Sequence, residues 1–216
     1  MTPTISRFRQ FSLWAGAIAA GLIAVGASRG SADAPQEKMP MFRRLTEAQY
    51  RATIAHIFGK DIKVSGRFEP DLRVGGLLAA GTSAVTLTAS GAEQYAMIAR
   101  NIADQVVDAQ HRDRLVGCAP QPSDPEGRAC AKVFFERVGL RLYRRPLTQE
   151  ESRLAVQQAI EAGRTVGDFH GGLAVMLSTM LSDFPFLFQV DRPVADPAAS
   201  GRRTIDAWSP ASKVSY

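Results

Sequence analysis

Two arginine pairs are the most chemically capable residues in the chain. Arg43 and Arg44 lie in Phe42-Arg43-Arg44-Leu45-Thr46-Glu47-Ala48-Gln49, and Arg144 and Arg145 in Tyr143-Arg144-Arg145-Pro146-Leu147-Thr148-Gln149-Glu150-Glu151. A guanidinium is a planar fork of donors that grips a phosphate, propionate or carboxylate through two parallel hydrogen bonds. Each pair also precedes a threonine with Gln49 or Glu151 three residues later, the capping-box pattern that closes a first helical turn. Arg144 and Arg145 fall where a helix must end ahead of Pro146, and cations there favour the macrodipole. We therefore assign Arg43, Arg44, Thr46, Arg144, Arg145, Pro146 and Thr148 to structural helix starts rather than to an anion site.

The other reactive residues do not converge. Cys118 and Cys130 are the only cysteines. They form no Cys-x-x-Cys or Cys-x-x-Cys-His motif, and two thiolates make half a structural zinc site, so a disulfide closing a proline-rich loop is expected. His56, His111 and His170 sit in three separate segments, where surface or capping roles are expected. Met176 and Met180, one turn apart, have sulfur to offer a haem, but their apolar run favours core packing. Glu150 and Glu151 belong to a helix N-terminus. Neither a Gly-x-Ser-x-Gly elbow nor a Gly-x-x-x-x-Gly-Lys-Ser/Thr loop occurs. No catalytic, cofactor-binding or metal-binding residue is assigned.

The elements that hold these residues are mainly helical. Helix one follows the Thr46 cap with Tyr50, Ile54, Ile57 and Phe58 inward, Leu45 stapled against Tyr50 and Gly59 as its stop. Residues 60–89 lose the period and read as irregular, with one short strand over Ala84 to Thr88. There Arg67, Glu69, Asp71 and Arg73 have no companion that would define a site. Ser90 and Glu93 predict a second helix, with Tyr95, Ile98, Ile102 and Val106 inward, running to about His111. A third carries Val133, Phe134, Val138 and Leu142 and ends near Tyr143. The fourth has Leu154, Ala155 and Ile160 on its apolar face and closes at Gly163. The fifth, over about Val166 to Ser182, is apolar around most of its circumference. Pro185 ends it, and Phe184 to Phe188 extend the core. Ser209 and Pro210 predict a last helix that is short where the chain stops. The fold expected is about five amphipathic helices in an irregular bundle.

Composition sets the setting. Arg7 and Arg9 precede an uncharged apolar stretch, Phe11 to Ala27, shorter than the ~20 residues that comfortably span a bilayer, which reads as a signal peptide over 1–27. Cleavage after Ala27 is the first choice and after Ala32 the second; an uncleaved leader would be the only membrane contact. A flexible linker over 28–40 follows. Without the two leader arginines the 26 basic groups fall to 24 against 21 acidic, interleaved along the helices, and no nucleic-acid surface is expected. Three regions are expected beyond the linker: an N-terminal helical domain at 41–116, a helical domain with the cysteine loop at 117–165, and a third helical domain beginning at 166–216 and truncated there.

At these motifs the chain resembles the large exported proteins with planctomycete cytochrome-type domains of unknown function. Arg43-Arg44-Leu45-Thr46, Tyr50, Arg51, Thr53, Ile54 and Phe58-Gly59 resemble the family's N-terminal domain, with Gln49 where its pattern has Glu. Cys118, Cys130-Ala131 and Tyr143 to Thr148 resemble the next domain, a helical pair. Leu177 to Asp191, then Ala211 to Tyr216, resemble the start of the one after. The resemblance implies a periplasmic or cell-envelope location and a protein partner or further C-terminal domains. Longer members carry haem-attachment motifs in those domains, so haem c is expected in a full-length relative or partner and no cofactor in this chain. The expected function is a scaffold or interaction module. The alternative is one part of a c-type-haem electron-transfer protein or oxidoreductase.

Overall fold

Thr46 starts the first helix because both halves of its capping box are made. Its hydroxyl accepts from the Gln49 amide at 3.2 Å, and the Gln49 side chain accepts from the Thr46 amide at 2.9 Å. In this computed structural model the described residues are 42–71, 73–74, 77–78, 87–190, 193–198 and 202–208, all within the compact unit Lys38–Tyr216. The proposed signal peptide, linker and Ser209 helix lie outside them. Helix α1 (Glu47–Phe58) buries Tyr50, Ile54 and Phe58, and Gly59, at φ 104°, caps it. Ahead of it, strand β1 (Phe42–Arg44) delivers Leu45 into the core.

Among the described residues of 60–88, the antiparallel pair β2 (Arg73–Val74) and β3 (Leu77–Leu78) is the only helix or strand, and the others are irregular as expected. Of the strand expected over Ala84 to Thr88, residues 84–86 lie outside the described residues. Leu87 and Thr88 are not in a strand. Thr88 caps α2 (Ala89–Val107), accepting from the Gly91 amide at 2.9 Å, so the cap is two residues earlier than Ser90. The reason is long-range: the Glu69 carboxylate accepts from the Thr88 amide at 3.2 Å and holds that residue extended. The inward face of α2 is the expected one, with Tyr95, Ile98, Ile102 and Val106 buried. It stops at Val107 rather than near His111. The Asp108 carboxylate takes the amides of Gln110 and His111, which competes with helix continuation, and a short α3 (Arg112–Leu115) follows.

Helix α4 (Arg128–Leu142) buries Cys130, Phe134, Val138 and Leu142 at every fourth position, flanked by Ala131 and Phe135. Val133, expected inward, is 60% exposed, because it lies about 100° off that stripe on the side away from Phe135. Helix α5 (Gln149–Val166) begins with the Thr148 box and buries Ser152, Ala155, Ala159 and Ile160. Leu154 is exposed, and the helix runs past Gly163 to a cap at Gly167, φ 76°. Asp168 then caps α6 (Phe169–Ser182) by accepting from the Gly171 amide, which places the start of that helix after Val166. Leu173, Leu177, Met180 and Leu181 are buried, whereas Val175 faces out. The helix therefore has one solvent side.

Gly163 is an α5 residue because α6 crosses there. A Cβ added to Gly172 would lie 2.3 Å from the Ala159 carbonyl oxygen and 2.6 Å from the Gly163 nitrogen, both backbone atoms that cannot swing aside. Gly172→Ala is expected to cost about 2–3 kcal/mol, the upper part of the usual overpacking range. Urea denaturation checks it, with Gly167→Ala, where an added Cβ meets nothing within 4 Å, as the comparison that isolates backbone strain from crowding.

Asp183 ends α6 and caps α7 (Phe184–Leu187), whose first turn accommodates Pro185. Strand β4 (Phe188–Val190) then pairs antiparallel with β1, Phe42 opposite Val190 and Arg44 opposite Phe188. The expected extension of the core is thus a helical turn and a strand. Strands β5 (Pro193–Ala195) and β6 (Arg203–Ile205) form a separate antiparallel pair. The molecule is mainly α, an irregular bundle with small two-stranded sheets; the described residues hold seven helices, two of them four residues long. One continuous apolar cluster links α1, α2, α4, α5, α6 and α7. No described helix is long and apolar enough to cross a membrane.

Candidate functional site: the arginine pairs and the cysteine loop

Arg44 leaves β1 pointing into the molecule, and its side chain is only 4% exposed. Nη1 donates to Glu69 Oε2 at 2.6 Å, and Nη2 donates to the carbonyls of Pro70 at 2.8 Å and Glu69 at 3.4 Å. Asp71 lies 3.7 Å from Nη2. Glu69 and Asp71, without companions in the linear sequence, are thus brought to an arginine 25 residues and more upstream. Glu69 also fits closely against the first turn of α2, because a Cβ on Gly91 would sit 2.5 Å from its Oε2. Arg43, on the opposite face of β1, donates through Nε to the Gln189 side chain on β4 at 3.1 Å. One pair therefore joins β1 to the irregular segment and to β4.

The second pair works similarly from the end of α4. Tyr143 is its C-cap, and Arg144 follows at φ 57°, the only positive-φ residue other than glycine among those described. This left-handed turn carries Nη2 of Arg144 to within 2.9, 3.0 and 3.2 Å of the carbonyls of Pro185, Phe186 and Phe188, the open carbonyl end of α7. Arg145 grips Glu151 with both forks, at 2.7 and 2.6 Å. Glu151 in turn closes the Thr148 box, accepting from the Thr148 amide at 2.8 Å. Tyr143 donates to Asp183 at 3.1 Å, and burial followed by that carboxylate pushes the phenol's pKa up.

The Arg145 hydrogen bonds lower the Glu151 pKa from 4.5 to about 2. A depressed carboxylate contributes stability that is complete above its unfolded pKa and is lost as pH falls through the folded one. The window here runs from about pH 4.5 down to about 2. Glu151→Gln is expected to lower the melting temperature by about 3 °C at neutral pH, an effect of about 1 kcal/mol after discounting for partial exposure. The difference should vanish near pH 2 in paired thermal melts.

Cys118 and Cys130 are joined, with Cα atoms 5.6 Å apart, and close the loop before α4. In that loop Glu126 pairs with Arg128 at 2.8 Å and with Arg164 of α5. His111 bridges Asp108, 2.7 Å from Nδ1, and Asp61, 3.3 Å from Nε2. Asp61 also holds Arg114. His56 faces outward on α1 and His170 lies at the start of α6, so the three histidines stay apart. Met180 is buried and Met176 packs against the same core. Thioether attachment of haem needs two free thiols beside a histidine, and the chain's two cysteines are bonded to each other. The two bonded cysteines do not fit thioether attachment of a haem. No group of three or more metal-ligating side chains converges among the described residues.

The fold and these contacts define a helical module whose charged side chains close its own backbone ends and strand junctions. Residues 43–108 match the family model PSD3, described as a protein of unknown function (DUF1587), and residues 130–191 match PSD5, also a protein of unknown function (DUF1595). The chain thus carries two domains from the planctomycete cytochrome-type families. Neither a curated protein nor a solved structure matches it. Arg43-Arg44 opens the first matched segment, and Arg144-Arg145 lies inside the second. Sequence patterns found both pairs, but not Glu69, Gln189 or Asp183, because the partners are 25 to 146 residues away or on a neighbouring element.

Proposed function

We propose that this chain is a non-catalytic scaffold and interaction portion of an exported, cytochrome-associated multidomain protein of the periplasm or cell envelope. Its partner is another protein or further C-terminal domains, and any haem c resides there. What supports this most is the engagement of Arg44, Arg144 and Arg145: their forks are turned to internal carbonyls and carboxylates. Such groups position elements, and they are not presented to a substrate. The disulfide suits an oxidising compartment.

Periplasmic co-expression with the reading frame that follows this one, then affinity purification and absorbance in the haem Soret region, tests the proposal. A Soret band that is the same whether the chain is bound to the haem-bearing partner or released from it is the expected result. A band that shifts on release would favour the electron-transfer alternative, with this module forming one wall of the haem site.

A further inference from the structure

Helix α4 has an outward face as well as a buried one. Val133 is 60% and Leu140 43% exposed, and at about 100° per residue the two lie only about 20° apart around the helix. Together with exposed Ala129 they form an apolar row that no other element covers among the described residues. Arg137 and Arg141, one turn apart, flank the row on one side, and Lys132 and Glu136 flank it on the other. Lys132 pairs with Glu136 at 3.0 Å and Arg128 with Glu126 at 2.8 Å, so these charges are matched. Arg137 and Arg141 have no ion pair among the described residues. Arg137 is nevertheless held in place: Nη2 donates to the carbonyls of Leu115 and, at 3.2 Å, Val116, and the guanidinium lies 5.9 Å from the Phe134 ring centroid. Burial, then the like charge of Arg141, pushes the Arg137 pKa down, and no carboxylate opposes them. The charges of α3, against which Arg137 rests, cancel, since Arg114 is paired with Asp61 and Arg112 is matched in number by Asp113.

We infer that this face of α4 is a docking surface for an amphipathic helix of a partner protein, one whose apolar stripe is edged with carboxylates. Charge complementarity selects that occupant. Carboxylates beside Arg137 and Arg141 would receive charge-assisted hydrogen bonds from guanidinium nitrogens that nothing described in this chain satisfies. The row Ala129, Val133, Glu136 and Leu140 advances by four, three and four residues, the spacing at which two helices interlock. Glu136, the one polar position in it, is drawn aside by Lys132 and by the Ser152 hydroxyl at 2.9 Å. The row is about 16–17 Å long at 1.5 Å per residue, which accommodates about three turns of a partner helix. A contact of that size falls below the roughly 800 Å² per partner of a stable interface, so it belongs to the transient class. Helices that lie on membranes bury Trp, Phe or Leu in number, and this row has one leucine and no aromatic residue. The inference rests on the scaffold reading and adds the element of the partner that the scaffold grips.

Fluorescence anisotropy tests the surface, with the full chain titrated into a labelled helical peptide of about 21 residues, three heptads with leucine at the two seam positions and glutamate beside them. The same peptide with lysine in place of glutamate is the charge control. Saturable binding of the glutamate peptide and none of the lysine peptide is expected. Arg141→Glu, which also neutralises Arg137 across one turn, should weaken binding by roughly tenfold or more, and Val133→Ser by roughly threefold. Both side chains are exposed, so both variants should keep the parent circular-dichroism spectrum. Arg100→Glu on α2, the same charge change elsewhere, should leave binding unchanged. No saturable binding in the parent, equal binding of both peptides, or an undiminished response in the folded Arg141→Glu variant would overturn the proposal. So would binding of mixed phosphatidylcholine and phosphatidylglycerol vesicles in place of the peptide, lost in both variants, which would assign the face to a membrane surface. No haem protein enters this titration, so its failure leaves the scaffold reading to the Soret comparison, and a Soret band that shifts on release would overturn that reading even with peptide binding intact.

Discussion

Replacing Tyr50 with alanine is expected to lower stability by about 4 kcal/mol, within the range for emptying a buried aromatic site. The ring is fully buried and lies 5.2 Å from Phe68, 5.8 Å from Tyr95 and 5.1 Å from Phe186, centroid to centroid. It therefore touches aromatic side chains from the irregular segment, α2 and α7 at once. Collapse around the cavity would require three elements to shift together, which keeps most of the penalty in place. The hydroxyl contributes less: its hydrogen bond to the Leu181 carbonyl is long, at 3.4 Å. Tyr50→Phe should cost under about 1 kcal/mol. Urea denaturation of the two variants separates packing from polarity, and comparable losses would place the stabilisation in the hydroxyl instead.

Glu69→Ala should cost about 3 kcal/mol, the lower end for breaking a buried pair by removing one partner. The remaining guanidinium of Arg44 would keep the Pro70 carbonyl at 2.8 Å and Asp71 at 3.7 Å, which moderates the loss. The amide of Thr88 would also lose its acceptor, loosening the cap of α2. Replacing both members with methionine should recover more than half of the loss, since the desolvation of an unpaired charge disappears with the charge. A double-mutant cycle measures this coupling, and additive losses would show that Arg44 and Glu69 act separately.

The helical content was legible because its signals are local. The boxes at Thr46 and Thr148, and the four-residue spacing of Tyr50, Ile54 and Phe58, operate within one or two turns. The disulfide was legible from cysteine count and the expected compartment. What escaped was set by distant partners. Thr88 outcompetes Ser90 as a cap because Glu69 reaches its amide, and Gly163 stays helical because Gly172 packs against that turn. Val133 and Leu154 are apolar but sit off their stripes, where composition alone reads them as core. The site was half visible. The arginines were recognisable by type and spacing, whereas Glu69, Gln189 and the carbonyls of α7 became partners only through the β1 and β4 pairing and the crossing of the chain.

The segments matched by the two families share one core. Strand β1 from the first pairs with β4 from the second, the Leu45 amide donates to the Leu187 carbonyl at 2.8 Å, and Tyr50 packs on Phe186. The arginine clasps then hold a joint structure, which is the physical basis for a scaffold. The most direct measurement is circular-dichroism melting of fragments 42–116 and 117–208, alone and mixed in equal amounts. Neither fragment should melt cooperatively alone, and the mixture should regain helicity and a cooperative transition. A fragment that melts cooperatively by itself at the temperature of the whole chain would contradict the account.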